Sequence, residues 1–112
     1  MLMPWFRRKG KATSSTPAPA EAQRATLQHF GDFARTRPGV EAYIEPATHV
    51  TQTTMVLIAT TGEWTRRRVP SGVIARQVAQ SLRIPVYDVN LTGYPQQMRA
   101  WNAAQKTRRT QA

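Results

Sequence analysis

The sequence predicts an α/β (α+β) domain: a small mixed sheet of about four strands, with a β-hairpin, one βαβ crossover and three helices. Three observations lead to this class. Residues 21–36 carry apolar side chains at helical spacing, and residues 40–69 contain β-branched runs separated by Gly or Pro. Residues 63–91 then read as strand, helix and strand with short connections, which is typical of a crossover between parallel strands.

The first element is an amphipathic helix over residues 21–36. Its predicted buried face consists of Leu27, Phe30, Phe33 and Ala34. Pro38 and Gly39 end it, because the proline ring disfavours a helical residue before it and the glycine frees the turn.

Three strands follow. Residues 40–45 alternate between apolar and polar side chains, which predicts a half-buried strand. Residues 50–60 form a β-branched run, and the part from Met55 to Ala59 has no polar side chain, so we expect both of its faces to be covered. Thr61 and Gly62 predict a tight turn into a returning strand over residues 63–69.

The second half of the domain continues with a helix from Ser71, its candidate N-cap, to about Arg83. Residues 86–91 are predicted as the next strand, parallel to the one before the helix. A last helix starts at Tyr94 and Pro95 and covers the sheet with side chains at helical spacing, namely Tyr94, Met98 and Trp101.

Composition divides the chain into three parts: a basic N-terminal tail and linker over residues 1–20, one domain over 21–104, and a basic C-terminal tail over 105–112. Residues 12–20 contain no large apolar side chain, so they have little to bury in return for lost chain entropy. Seven of the 16 basic residues, and none of the six acidic ones, lie in the stretches 1–11 and 105–112. The tails are therefore the first place to look for an anionic partner.

The chain has no cysteine, so it forms no disulfide and no cysteine-ligated metal site. Its N-terminal apolar residues precede the positive charges, which reverses the order of a secretory signal, and we expect a cytoplasmic protein. No nucleophile elbow, phosphate-binding loop, dinucleotide fingerprint or paired-histidine metal motif is present. The sequence thus predicts no cofactor, metal or catalytic residue and favours a non-enzyme over an enzyme.

The densest candidate site is the run from Trp64 to Val69. On a strand, Trp64, Arg66 and Arg68 share one face and place an aromatic ring beside two guanidinium groups. Such a surface suits phosphate or a nucleic-acid backbone. The alternative is an edge strand that arginine protects from pairing with other chains, with Trp64 packed under the last helix. Glu41 and Glu45 could both pair with these arginines.

Two further candidates have weaker signals. Tyr94 and Arg99 lie at the start of the last helix, beyond a predicted parallel strand, where a small anion site or an aromatic helix cap would explain them. Arg7, Arg8 and Lys9 follow Trp5 and Phe6 directly. This N-terminal segment, residues 1–11, would suit weak contact with an anionic membrane surface, docking to a protein, or a disordered basic start.

Three stretches carry a resemblance to a known group: Gly62 to Pro70, Ile84 to Val89 and Gly93 to Arg99. Together they resemble a family of short actinobacterial proteins of unassigned role, some of which are labelled oxidoreductases. The resemblance covers roughly the second half of the domain and implies a cytoplasmic bacterial protein. A redox role would require a flavin or nicotinamide in a pocket with no sequence signature, or in a partner chain.

The leading functional hypothesis is a small accessory protein that binds an anionic or protein partner through its basic tails and the strand from Trp64 to Arg68. Two alternatives stay open: a nucleic-acid-binding module, and an oxidoreductase-like enzyme whose cofactor site leaves no motif. Oligomeric state stays open as well.

Overall fold

The computed structural model describes residues 19–111. Within them the elements are α1 (Pro19–Thr36), β1 (Glu41–Glu45), β2 (Thr54–Ile58), β3 (Trp64–Arg68), α2 (Gly72–Ser81), β4 (Val86–Asp88), α3 (Val89–Thr92) and α4 (Gln96–Gln111). The strands form one sheet in the order β3-β2-β1-β4. β2 is antiparallel to both neighbours, and β1 and β4 are parallel. The predicted mixed α/β class is confirmed.

Side-chain alternation gives the sheet two covered faces. On one face, alternate residues of β1 and β2 pack against α1 and α2; the buried contacts there include Ala42, Ile44, Met55, Leu57, Phe30, Phe33, Ala75 and Ala79. On the other face, Tyr43, Val56 and Ile58 pack against Met98 of α4. Residues 55–59 are fully buried, which confirms that the central strand is covered on both sides.

The β2–β3 hairpin closes as predicted, and its glycine fixes where α4 lies. Gly62 donates its N–H to the carbonyl of Ala59 at 2.8 Å and has φ of +94°. A Cβ at this position would overlap the carbonyl oxygen of Gln97 and lie 2.8 Å from Cβ of Trp101. The hairpin loop therefore approaches the backbone of α4 at a distance that only glycine allows.

Helix α2 begins where the sequence predicts. Ser71 is its N-cap, and Oγ of Ser71 accepts a hydrogen bond from the N–H of Ile74 at 3.2 Å. The crossover that contains α2 joins two strands running in the same direction. These strands, β3 and β4, lie at opposite edges of the sheet, because β4 pairs with β1.

The last predicted strand is shorter than its apolar pattern indicated. It ends at Asp88, whose side chain accepts a hydrogen bond from the N–H of Asn90 at 2.8 Å and caps the short helix α3. The expectation of a strand to Leu91 is therefore wrong. The reason is that an aspartate side chain can bind nearby backbone N–H groups, which favours a helix start over continued strand pairing. The described residues consequently contain a fourth helix beside the three predicted ones.

Helices α1 and α4 also depart from expectation. Leu27 belongs to the predicted buried face of α1 but is 45% exposed, because this part of the helix leaves an open groove beside it. Helix α4 begins at Gln96, after Tyr94 and Pro95, and continues to Gln111, so it includes the basic residues Lys106, Arg108 and Arg109.

Candidate binding surface at strand β3

Strand β3 is an edge strand, and the hydrogen-bond register shows which of its backbone groups are unpaired by the sheet. The two flanking ladder bonds run from Ala59 N to Glu63 O (2.9 Å) and from Val69 N to Thr53 O (3.1 Å). Antiparallel partners alternate between bonded and non-bonded pairs, so at every second position of β3 the backbone N–H and C=O groups point away from β2. These positions are Trp64, Arg66 and Arg68.

One of these outward groups is occupied by the chain itself. Nη1 of Arg67 donates to the carbonyl oxygen of Arg66 at 2.8 Å. A guanidinium placed against an edge carbonyl blocks the approach of another strand at that point. Arg67 therefore occupies one of the outward carbonyl groups of this edge.

Arg66 is bound to Glu45 although its side chain is 41% exposed. Its Nε and Nη2 atoms each lie 2.8 Å from a carboxylate oxygen of Glu45, in the bidentate arrangement that suits a guanidinium. Its guanidinium carbon lies 5.0 Å from the centroid of the Trp64 ring. The hydrogen bond to Glu45 raises the pKa of Arg66. The positive charge of Arg66 is therefore paired with Glu45, and its guanidinium group stacks on the Trp64 ring.

Glu45 is the centre of the network. It also accepts hydrogen bonds from Oγ1 of Thr54 at 2.5 Å and from the hydroxyl of Tyr94. Burial alone would raise the pKa of this carboxyl group, but the hydrogen bonds from Arg66, Thr54 and Tyr94 outweigh burial and hold it below its ordinary value. Glu45 is thus ionised, and its four acceptor positions are all in use.

Trp64 is tied to α4 rather than presented to solvent as a free stacking ring. Its Nε1 donates to Oδ1 of Asn102 at 2.8 Å. The ring packs against the cluster on the α4 side of the sheet, where Ile58 and Met98 are buried. The Trp64 ring thus contacts Arg66 on one side and α4 beside it, and both contacts lie within the chain.

Tyr94 and Arg99, the second predicted site, are likewise bound within the chain. Burial, and then the hydrogen bond to Glu45, raise the pKa of Tyr94. Nη1 of Arg99 donates to the carbonyl of Tyr94 at 2.9 Å. The structure therefore links Tyr94 to Arg66 through Glu45, a connection that the separate motifs did not reveal.

A cavity of about 420 Å³ lies beside this network, lined by Glu45, Arg66, Tyr94 and Asn90 among others. It is located past the carboxyl ends of the parallel strands β1 and β4, where α/β proteins commonly bind ligands. A general acid or base needs a free position for the proton that it transfers. All acceptor positions of Glu45 are occupied within the chain, and the raised pKa of Tyr94 keeps its hydroxyl protonated and donating to Glu45.

Arg67 and Arg68 are exposed like Arg66 but differ from it in their ion pairing. Both side chains are exposed, and within the described part of the chain neither has a carboxylate partner at ion-pair distance. Both line an open groove of about 620 Å³ between α1 and α2. Arg68 was predicted as part of the site, whereas Arg67 was missed, because the strand pattern places it on the face opposite Trp64.

The predicted cations Arg7, Arg8 and Lys9 lie outside the described residues. Among residues 19–111, no helix is long and apolar enough to cross a lipid bilayer. Comparison of the chain with protein-family models, with curated proteins and with solved structures gives no match. Function must therefore be argued from the geometry of the chain.

Proposed function

We propose that this chain is a non-catalytic accessory protein of the cytoplasm that binds an acidic protein partner, with Arg67 and Arg68 of β3 as the contact residues and the basic termini as additional attraction. One observation supports this most strongly. These two adjacent guanidinium groups are exposed and lack a carboxylate partner among the described residues, although Glu45 and Glu63 elsewhere on the domain each bind an arginine.

The charge of the whole chain supports the same class of partner. The formal net charge is +10, and a surface potential of this sign accelerates encounter with acidic proteins and repels basic ones. Arg7, Arg8 and Lys9 would contribute to this attraction from the N-terminal side. Exposed cations of this kind determine association rate and salt dependence more than they determine affinity.

A nucleic-acid partner fits the geometry less well. Proteins that bind single strands combine cations with aromatic rings on which the bases stack. In this chain the Trp64 ring is hydrogen-bonded to Asn102 of α4 and covered by Arg66. A phosphate backbone could contact Arg67 and Arg68, but the aromatic part of such a site is already in use.

The test is a binding experiment with the full chain and two charge-matched variants. The variant Arg67→Gln/Arg68→Gln removes the proposed contact, and Arg108→Gln/Arg109→Gln removes the same charge from the last turn of α4. The probes are a fluorescein-labelled polyglutamate peptide and a single-stranded oligonucleotide of equal charge, followed by fluorescence anisotropy at several salt concentrations.

We expect the β3 variant to bind polyglutamate about five- to tenfold more weakly than the unsubstituted chain at low salt, as the loss of two exposed ion pairs would give. The α4 variant should lose about twofold or less, because Arg108 and Arg109 add only to the general attraction and do not contact the partner in this proposal. Equal losses in the two variants would show that only net charge matters and would contradict the assignment to β3. Oligonucleotide binding that is tighter than polyglutamate binding and depends on Arg67 and Arg68 would favour the nucleic-acid alternative.

A second readout addresses catalysis. An absorbance spectrum of the purified full chain that shows flavin or nicotinamide would contradict the non-catalytic part of the proposal.

A further inference from the structure

The open groove between α1 and α2 combines an apolar lining with a cationic rim. Leu27 of α1 faces Ile74 and Val78 of α2 across it, and Val69, the residue after β3, also lines it. Among residues 19–111, Arg67 and Arg68 supply its charge and no acidic residue lines it. The groove therefore offers apolar contact and positive charge side by side.

Leu27 indicates that the groove is a contact surface rather than an incidental gap. Its spacing places it on the same helical face as Phe30 and Phe33, which are buried, yet it stays 45% exposed. An apolar side chain that continues a buried stripe beyond the covered region is an unpartnered part of that stripe. Covering it would remove further apolar surface from water.

We infer that this groove binds an extended acidic peptide segment of another protein, with one large apolar side chain inserted between Leu27 and Ile74 and neighbouring carboxylates paired with Arg67 and Arg68. This inference rests on the proposed function and names the form of the acidic partner. The volume of about 620 Å³ admits one large side chain with adjacent backbone. Because the groove is open, a chain segment can enter and leave it at its ends.

Charge argues against the chain's own N-terminus as the occupant. Residues 1–6 are apolar enough, but Arg7, Arg8 and Lys9 follow them directly. Occupancy by this segment would bring three cations to a rim that already carries two arginines and, in the part of the chain that the structure describes, no carboxylate. A second copy of the chain, with its net charge of +10, meets similar repulsion.

The experiment selects peptides from a displayed library of random octapeptides on the immobilised full chain. We expect enriched peptides to share a large apolar residue flanked by Asp or Glu. The variant Leu27→Asp places a negative charge in the groove, which repels the carboxylates of an acidic peptide. Because position 27 is half exposed, the fold should tolerate the change. Leu91→Asp is the matched control, because Leu91 is 85% exposed and does not line the groove.

For an enriched peptide, Leu27→Asp should weaken binding about tenfold or more, as the loss of one buried apolar contact would give, and Leu91→Asp should leave binding unchanged. Replacing the apolar residue of the peptide by alanine should cause a similar loss. A library that yields no acidic-apolar peptide, or peptides that bind Leu27→Asp as well as the unsubstituted chain, would overturn the inference.

Two outcomes separate this inference from the proposed function. Peptides that require Arg67 and Arg68 but tolerate Leu27→Asp would leave the proposed function standing and reject the groove. Apolar peptides that require Leu27 but bind the Arg67→Gln/Arg68→Gln variant equally well, at any salt concentration, would reject an acidic partner. If Trp5→Ala/Phe6→Ala in the full chain shifts the methyl resonances of Leu27 and strengthens peptide binding, the N-terminal segment is the occupant and the inference is wrong.

Discussion

Replacement of Glu45 by glutamine is the sharpest test of the network beside β3. Glu45 joins three parts of the chain: its own strand β1, strand β3 through Arg66, and the segment before α4 through Tyr94. Only 16% of its side chain is exposed. Glutamine keeps the shape and one acceptor oxygen, but its amide group turns a donor toward Arg66 or Tyr94, which are donors themselves.

The expected loss of unfolding free energy follows from the bonds that are removed. A hydrogen bond to a charged group contributes about 1.5–3 kcal/mol. Because 41% of the Arg66 side chain is exposed and water can replace part of the lost interaction, we expect a loss near the lower end, about 2 kcal/mol. For a domain of this size that corresponds to a decrease in Tm of about 10 °C.

The assay is urea and thermal unfolding of Glu45→Gln, with Glu63→Gln as the control. Glu63 also binds an arginine, Arg37, and that hydrogen bond also lowers its pKa, but the Glu63 side chain is 35% exposed, against 16% for Glu45, and Arg37 is its one side-chain donor among the described residues. A single ion pair on a more exposed carboxylate contributes less than four hydrogen bonds to a more buried one, so the control should lose less stability. Equal losses in the two variants would refute the view that the Glu45 network holds β1, β3 and the start of α4 together.

The pH dependence gives an independent check of the same network. Because the folded-state pKa of Glu45 is lowered from 4.5, its contribution is complete above about pH 4.5 and is lost as the pH falls through the folded-state value. The unsubstituted chain should therefore lose more stability below about pH 4.5 than Glu45→Gln does. Identical acid profiles for the two proteins would contradict the assigned role.

Two further substitutions test the packing. Gly62→Ala should destabilise the fold by about 2–3 kcal/mol in urea unfolding, because residue 62 has φ of +94° and lies close to the backbone of α4. Gly72→Ala is the control and should be close to neutral, since a Cβ there would meet no atom within 4 Å. Similar losses for both variants would show that the hairpin does not contact α4. Burial, and then the hydrogen bond to Glu41, raise the pKa of Tyr43 to about 12, so an ultraviolet titration should contain a late tyrosine component that Tyr43→Phe removes. Because the pKa of Tyr94 is raised as well, part of the late component should remain in the variant, and an unchanged amplitude would contradict the assignment to Tyr43.

The parts of the fold that the sequence predicted correctly have local signals. The apolar run from Met55 to Ala59 requires cover on both faces wherever the strand lies. Ser71 identifies a helix start through a hydrogen bond three residues along the chain. Gly62 marks a turn because few other residues adopt a positive φ.

The parts that the sequence could not predict depend on strand order and on the extent of the sheet. Helical periodicity gives the direction of Leu27 but not whether another element lies opposite it. Alternation places Arg66 on the face of Trp64, and pairing with Glu45 could be anticipated from charge alone. The bidentate contact, however, requires β2 to lie between β1 and β3, so that Arg66 reaches across it. The end of β4 was missed because the Asp88 cap competed successfully with its apolar pattern.

Strand order also decides which cations are available for binding. The run Arg66, Arg67, Arg68 carries three equivalent charges in the sequence, and the strand pattern favoured the first and third because they share a face with Trp64. That face is the one covered by α4 and reached by Glu45, so Arg66 is neutralised there. Arg67, on the other face, meets neither α4 nor a carboxylate of the described residues and instead lines the groove between α1 and α2 with Arg68. Arg66 was a strong candidate because an aromatic ring and an acidic strand lie next to it, and these same neighbours bind its side chain within the fold. A partner must therefore contact Arg67 and Arg68, which have no carboxylate partner among the described residues.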